Sequence, residues 1–224
     1  MGKTACVFGA TGLTGKHLVN LLSEDDIYDK IILFNRRAVQ YASPKILQIN
    51  GNYNSLSEYS GILKAHDFFC CLGTTIKKAG SKVAFEEVDL NLPVRIAEIA
   101  VLNMVNKFMV VSSIGASAES GNFYLNVKGR MELELKKKLG DRLYIFRPSL
   151  LLGNRNEDRF GENFAKVFMK IFGFLFVGGL KKYKAIEAET VAKAMVTVAN
   201  GNFTDSVFES DQIFEIGKSI TKQK

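Results

Sequence analysis

Apolar positions along the chain follow two alternating rhythms. Short, nearly unbroken apolar runs at Lys3–Phe8, Ile31–Phe34, Ile46–Ile49, Phe68–Leu72, Lys107–Ser112 and Leu143–Phe146 read as strands buried on both faces. Between them the spacing changes to that of helices. Leu18, Val19, Leu21 and Leu22 mark one helix within Leu13–Leu22, and Phe123–Leu139 forms another. Val83–Val105 is a third, which Pro93 should bend or interrupt. Strands alternating with helices specify an α/β fold, a doubly wound parallel sheet whose ligands sit at the carboxyl ends of the strands. Beyond Pro148 the rhythm loosens. Helices are expected near Glu162–Phe172 and Thr190–Ala199, with a short strand near Gln212–Ile216. No Pro-, Ser- or Gly-rich linker divides the chain, so residues 1–224 read as one domain, with about 151–185 forming a small cap over the substrate site.

The first strand runs straight into Gly9-Ala10-Thr11-Gly12-Leu13-Thr14-Gly15, followed at once by a helix. A strand, a glycine-rich turn and a helix in that order form a Rossmann-type dinucleotide site. Gly9 allows the sharp turn, Gly12 lets bare backbone approach a pyrophosphate, and Gly15 lets helix and strand pack closely. Thr11, Leu13 and Thr14 share the helix N-terminus, whose unpaired N–H groups face the phosphates. The G-x-x-G-x-x-G spacing is the short-chain dehydrogenase variant.

After the second strand the sequence reads Phe34-Asn35-Arg36-Arg37, with no carboxylate to accept a free ribose 2′-hydroxyl. Arginines there suit a 2′-phosphate, so NADP(H) is favoured over NAD, which stays possible. Asn50-Gly51-Asn52, after the third strand, offers an amide to the adenine. After the fourth strand, Cys71-Leu72-Gly73-Thr74-Thr75 should pass under the cofactor. Glycine allows close approach there, and threonine hydroxyls can meet ribose or phosphate.

The fifth strand ends in Val111-Ser112-Ser113-Ile114-Gly115, and Tyr124 and Lys128 stand four residues apart on one helix face. These are the parts of a carbonyl reduction. Tyr124 would protonate the oxygen, and Lys128 would favour the phenolate and hold the nicotinamide ribose. Ser113 would orient the substrate carbonyl. Ser112 is the alternative, otherwise a cofactor contact. Arg147-Pro148-Ser149-Leu150 makes a proline turn after the sixth strand with its backbone amides free, and Pro148 and Leu150 should lie beside the nicotinamide carboxamide.

Composition narrows the partners. The net charge of +7 comes from 30 basic and 23 acidic residues that are spread out. Lys136 to Lys138 follow Glu132 and Glu134 as a solvated face of helical ion pairs, so no nucleic acid is expected. Cys6, Cys70 and Cys71 fall in apolar strands, as reduced core thiols do, and neighbouring strand positions turn Cys70 and Cys71 to opposite faces. Two histidines and no Cys/His cluster argue against a metal. Strand structure from Lys3 leaves no room for a signal peptide, and the apolar run Ile171–Leu180 is too short to span a bilayer. A cytoplasmic protein, monomer or homodimer, is expected.

The chain resembles the atypical short-chain dehydrogenase/reductase family typified by the Tat-interacting, metastasis-suppressor-like oxidoreductase, over almost its whole length. The shared phrases are Gly9–Gly15, Asn35-Arg36-Arg37, Cys70-Cys71-Leu72-Gly73-Thr74-Thr75, Lys78-Ala79-Gly80, Ser112-Ser113, Asn122–Gly129 and Phe146-Arg147-Pro148. The resemblance implies NADPH binding, with Arg36 and Arg37 at the 2′-phosphate and Tyr124 and Lys128 as the catalytic pair. It also implies that Arg155 lies near the cofactor. Phe164–Lys184 departs from the family, so substrate identity does not carry over. The readings left open are a reductase of a small carbonyl substrate, an NADPH-binding regulatory protein acting on a protein partner, and a nucleotide-sugar epimerase or dehydratase.

Overall fold

A computed structural model of the chain describes residues 2–153 and 184–219. In chain order, β1 (Lys3–Phe8) leads to α1 (Leu13–Glu24), β2 (Tyr28–Asn35), β3 (Ile46–Asn50), a 3-10 segment (Tyr53–Tyr59) and β4 (Asp67–Cys70). Then come α2 (Ile76–Ala79), α3 (Lys82–Glu86), a π turn (Glu87–Asn91), α4 (Leu92–Leu102), β5 (Lys107–Val111), α5 (Phe123–Leu139) and β6 (Leu143–Arg147). β7 (Leu151–Leu152), β8 (Ile186–Glu187), α6 (Ala188–Asn200), β9 (Val207–Glu209) and α7 (Ser210–Ser219) complete the described residues.

Seven parallel strands form one sheet in the order β3-β2-β1-β4-β5-β6-β9. The order reverses between β1 and β4, which pair from Ala5↔Asp67 to Phe8↔Cys70, and this opens a crevice at their carboxyl ends. One apolar core lies between the sheet and α4, α5 and the 3-10 segment; the other lies beneath α1, α6 and α7. Cys70 belongs to the first and Cys71 borders the second, so the two thiols are on opposite faces as expected. At the amino ends of the strands, buried Asp67 accepts from Tyr28 Oη at 2.7 Å and pairs with Lys3 Nζ at 3.1 Å. Lys3 and Lys107 also donate to the last carbonyls of α6, Ala199 at 2.9 Å and Val198 at 2.8 Å.

The helix expected over Val83–Val105 is three pieces. Pro93 has no N–H, and in a regular helix its ring would meet the carbonyl of Asp89. The chain widens into the π turn just before it, where Leu92 N–H bonds to the Glu87 carbonyl. The strand expected at Gln212–Ile216 is instead part of α7, and the real strand is Val207–Glu209. Ile213 and Ile216 face the core one helical turn apart, and Gly217 has no room for a Cβ, which would lie 2.4 Å from the Thr190 carbonyl oxygen. β7 and β8 pair in parallel and tie together the two ends of the expected cap. Most of that cap, the helix near 162–172, the apolar run 171–180 and Arg155 lie outside the described residues.

Candidate functional site

Gly9 ends β1 at φ +85°, a left-handed conformation, and a Cβ there would stand 2.7 Å from the Cys71 carbonyl. Gly12 donates to the Gly9 carbonyl at 2.9 Å and caps α1 without any side-chain acceptor. The first amides of α1, at Leu13 and Thr14, therefore present bare N–H groups beside exposed Thr11. Gly15 is buried against this turn, where a Cβ would come within 2.1 Å of the Gly9 oxygen. Gly9 thus makes the sharp turn and Gly15 the close packing expected of them, while Gly12 leaves bare backbone at the start of the helix.

At the end of β2, Asn35 is buried and its Nδ2 has no hydrogen-bond partner among the described residues. Arg36 and Arg37 are exposed, and neither forms an ion pair among the described residues. Arg36 lies close enough to Tyr53 to oppose the rise in phenol pKa that burial causes there. Tyr53 Oη donates to the Phe34 carbonyl at 3.0 Å. After β3, the Asn52 oxygen caps the 3-10 segment, accepting from Asn54 N at 3.0 Å, and the side chains of Asn50 and Asn52 are both exposed. Tyr41, which the motifs did not single out, donates to the Ala10 carbonyl at 3.0 Å across the glycine turn.

After β4 come exposed Gly73 and, on either side of it, partly buried Leu72 and Thr74. The Thr74 N–H donates to Asp89 Oδ2 at 2.9 Å. Thr75 caps α2 by accepting from Lys78 N at 3.1 Å. Burial pushes the Cys70 thiol up to about 12 and raises those of Cys6 and Cys71, so the thiolate form is disfavoured at all three.

Asn122 caps α5, its Oδ1 accepting from Tyr124 N at 3.0 Å and Leu125 N at 3.3 Å. The helix that follows stacks Lys128 one turn below Tyr124. Gly129 is bare because a Cβ would strike the Ser117–Ala118 backbone, 2.1 Å from the Ser117 carbonyl carbon. Tyr124 hydrogen-bonds the Ser113 side chain, and its ring lies 5.6 Å from that of Phe85. The expected Ser113, Tyr124 and Lys128 therefore do meet.

Two features differ from expectation. Lys128 Nζ is paired with Asp89 Oδ1 at 2.8 Å, both groups being buried. Asp89, held by the π turn and by Thr74, carries no motif, and with Glu86 and Glu87 just before it the sequence gives no sign of which acid turns inward. Secondly, Tyr124 has a raised pKa rather than a lowered one. Burial dominates, Lys128 pulls the value down, Asp89 pushes it up again, and the Ser113 hydrogen bond pulls it down. Burial disfavours the Lys128 ammonium, but Asp89 and Tyr124 more than restore it, so its pKa lies above the usual lysine value.

Ser112 turns away from this centre. Its hydroxyl donates to Glu132 Oε1 at 2.5 Å, and Arg147 grips both Glu132 oxygens while reaching Glu209 at 3.0 Å. Glu132 is thus buried beneath the site instead of on the solvated face, where Lys137 pairs with Glu134 and Lys138 with Glu98. In the next turn, the Pro148 carbonyl accepts from Ile114 N at 3.0 Å and that of Leu150 from Ile186 N at 2.9 Å. The amide of Ser149, expected to be available, donates to Ser210 Oγ at 3.2 Å. Gly153 brings the chain back to the glycine turn, where a Cβ would touch Leu13 at 2.6 Å.

Among the described residues no cluster of His, Cys, Asp or Glu could hold a metal, and no helix is long and apolar enough to cross a membrane. A dinucleotide fits what is present: bare backbone at Gly9 and Gly12, uncapped amides, and an unpartnered Asn35 amide beside two arginines. The profile of an NAD(P)H-binding family matches residues 9–151. Protein HTATIP2 of Rattus norvegicus is 34% identical over 222 residues, 96% of this chain and 90% of its own. The protein FMP52, mitochondrial, of Candida albicans is 28% identical over 226 residues, 96% of this chain and 98% of its own. Among solved structures, the UDP-N-acetylglucosamine 4-epimerase of Methanobrevibacter ruminantium M1, in complex with UDP-N-acetylmuramic acid, superposes with a TM-score of 0.70 at 17% identity, covering 100% of this chain and 83% of that one. The oxidoreductase ylbE of Lactococcus lactis gives 0.67 at 17% identity, covering 98% and 97%. With its parallel sheet, its glycine turn and this likeness along nearly the whole chain, the protein belongs to the NAD(P)H-binding family, as an atypical short-chain dehydrogenase/reductase of the HTATIP2 type.

Proposed function

We propose that the protein is an NADPH-dependent reductase of a small carbonyl compound. The observation that carries this reading is the meeting of Ser113, Tyr124 and Lys128 at the carboxyl ends of the strands. Gly9, Thr11, Gly12, Leu13, Thr14 and Gly15 hold the pyrophosphate, and Asn35, Arg36 and Arg37 hold the adenosine ribose and its 2′-phosphate. Leu72, Gly73 and Thr74 pass beneath the dinucleotide, with Pro148 and Leu150 closing its nicotinamide end. A dihydronicotinamide held by these residues would supply a hydride to the carbonyl carbon. Ser113 hydrogen-bonds the carbonyl oxygen and fixes its direction. Tyr124 gives that oxygen its proton, and Lys128 fixes the phenol and reaches toward the ribose hydroxyls. Ser112 serves by anchoring the end of β5 to Glu132 rather than by touching ligand.

Two further points support this reading over a sugar-nucleotide epimerase. No carboxylate follows β2, and the epimerase neighbour is longer than this chain, which covers 83% of it. A cytoplasmic site of action goes with this proposal, although the name of the FMP52 relatives places them in mitochondria. The test is Tyr124→Phe with a panel of carbonyl compounds followed through NADPH consumption. Turnover should fall by about 10²–10⁴ while NADPH affinity stays within a few-fold of the parent. Undiminished turnover sinks the reading. A panel without any substrate, together with NADPH-dependent binding of a protein partner, replaces it with the regulatory one.

A further inference from the structure

The Asp89–Lys128 pair leaves Tyr124 facing a cation that is already answered. We infer that Asp89 is a positioning residue that holds Lys128 as a neutral pair and so keeps Tyr124 a phenol, setting the site to give a proton rather than to take one. The inference rests on the reading of Tyr124 as proton donor. Its footing is geometric: Lys128 Nζ lies 2.8 Å from Asp89 Oδ1, and Thr74 N–H fixes the other oxygen at 2.9 Å. Gly73 leaves the space above this pair bare, since even a Cβ would stand 3.5 Å from Asp89 and 4.0 Å from Lys128. Pro93 and the π turn bring Asp89 to this place, so the carboxylate is delivered by the backbone.

The groups around Tyr124 come from every neighbouring element. Lys128 lies on its own helix, Asp89 on the π turn, Ser113 after β5 and the Phe85 ring on α3. Cys70 of β4 stands near Lys128, and Lys82 of α3 lies over the adjoining Phe123 ring at 5.0 Å. A lone buried ammonium beside a phenol draws it toward phenolate; an ammonium bonded to a carboxylate does so much less. In the reductive direction the Tyr124 O–H bond breaks, and the substrate carbon gains hydride while its oxygen gains that proton. The carbonyl is reduced and the dihydronicotinamide is oxidised. The reverse reaction needs a phenolate and should require alkaline pH.

The experiment follows tyrosinate absorbance against pH, taking each protein minus its Tyr124→Phe counterpart. The parent should show no Tyr124 ionisation up to pH ~10, the ordinary value of a phenol. Asp89→Asn keeps the acceptor for Thr74 but removes the charge, and its onset should move down by about one pH unit or more. The alkaline limb of the reduction profile should move with it. Asp89→Asn/Lys128→Met, with neither charge, should return the onset to the parent's value. A folded Asp89→Asn whose onset does not move overturns the inference. Should Asp89→Asn not fold, the parent and the double variant decide: equal onsets support the inference, and a parent onset well below that of the double variant overturns it. A moved onset in a protein without turnover on any carbonyl defeats the reductase reading, and with it the proton-giving role, and leaves standing only that Asp89 keeps Tyr124 a phenol.

Discussion

Arg36 and Arg37 leave β2 into solvent with no carboxylate among the described residues to hold them, beside a buried Asn35 amide that also lacks a partner. Three donors in this state at the carboxyl end of a strand are what a phosphorylated ribose would engage. Arg36→Ala should therefore cost NADPH about 1.5–3 kcal/mol, roughly one to two decades in affinity, and leave NADH unchanged. Calorimetric titration with both cofactors checks this, and equal weakening of the two would reassign Arg36 to the surface. The same scale explains what the sequence hides. Tyr124 and Lys128 are legible because a helix turns their spacing directly into a shared face. Asp89 is not, because its meeting with Lys128 depends on how two separate helices lie against one sheet. The choice between Ser112 and Ser113 also escapes the motif. It depends on which side of the strand end each hydroxyl takes, and Ser112 is claimed by Glu132 at 2.5 Å.

Elements were readable where one rhythm ruled and obscure where two constraints competed. α5 runs from Phe123 to Leu139 as its pattern predicts, with Asn122 before it and Gly140 after it. α7 carries only three apolar residues, Ile213, Phe214 and Ile216, too few to show a helical period in the sequence, and only packing in the core beneath α6 gives Ile213 and Ile216 a helical role. The glycine turn separates folding from binding in a testable way. Gly12 has φ −73° and ψ 174°, open to any residue, and an added Cβ would stand 3.2 Å from the Gly9 oxygen and 3.7 Å from the Cys71 oxygen. Gly15 has no such latitude, with backbone 2.1 Å from its Cβ position. Gly12→Val should keep the fold and lose dinucleotide binding. Gly15→Ala should destabilise the protein by about 1–3 kcal/mol through overpacking, and so lower its melting temperature. Scanning calorimetry of both, with and without NADPH, separates the two effects. A folded Gly12→Val that binds normally would reduce this turn to a connection.

Across the whole molecule, the sheet hides its thiols in two cores, and that ties stability to alkaline pH. Cys6 and Cys70 pack beneath α4 and α5, while Cys71 borders the opposite core. Burial raises all three thiol pKa values, that of Cys70 to about 12. Unfolded thiols ionise near ~8.5. Below that value both states hold these protons, and the stability that comes from burying neutral thiols is fully present. Above it the unfolded chain releases protons that the folded chain keeps, so stability falls as pH rises. Each thiol contributes a slope of about 1.4 kcal/mol per pH unit, continuing until the folded thiols themselves ionise. Tyr28 and Tyr53, raised by burial and, for Tyr28, also by Asp67, join above pH ~10. Under reducing conditions the melting temperature should therefore drop steeply from about pH 8.5 upward. Replacing Cys6 by Ala should make that fall shallower, even though the cavity lowers stability at neutral pH. A melting temperature that stays level through pH ~10 would mean that the thiols meet water in the folded state, against the packing of both cores.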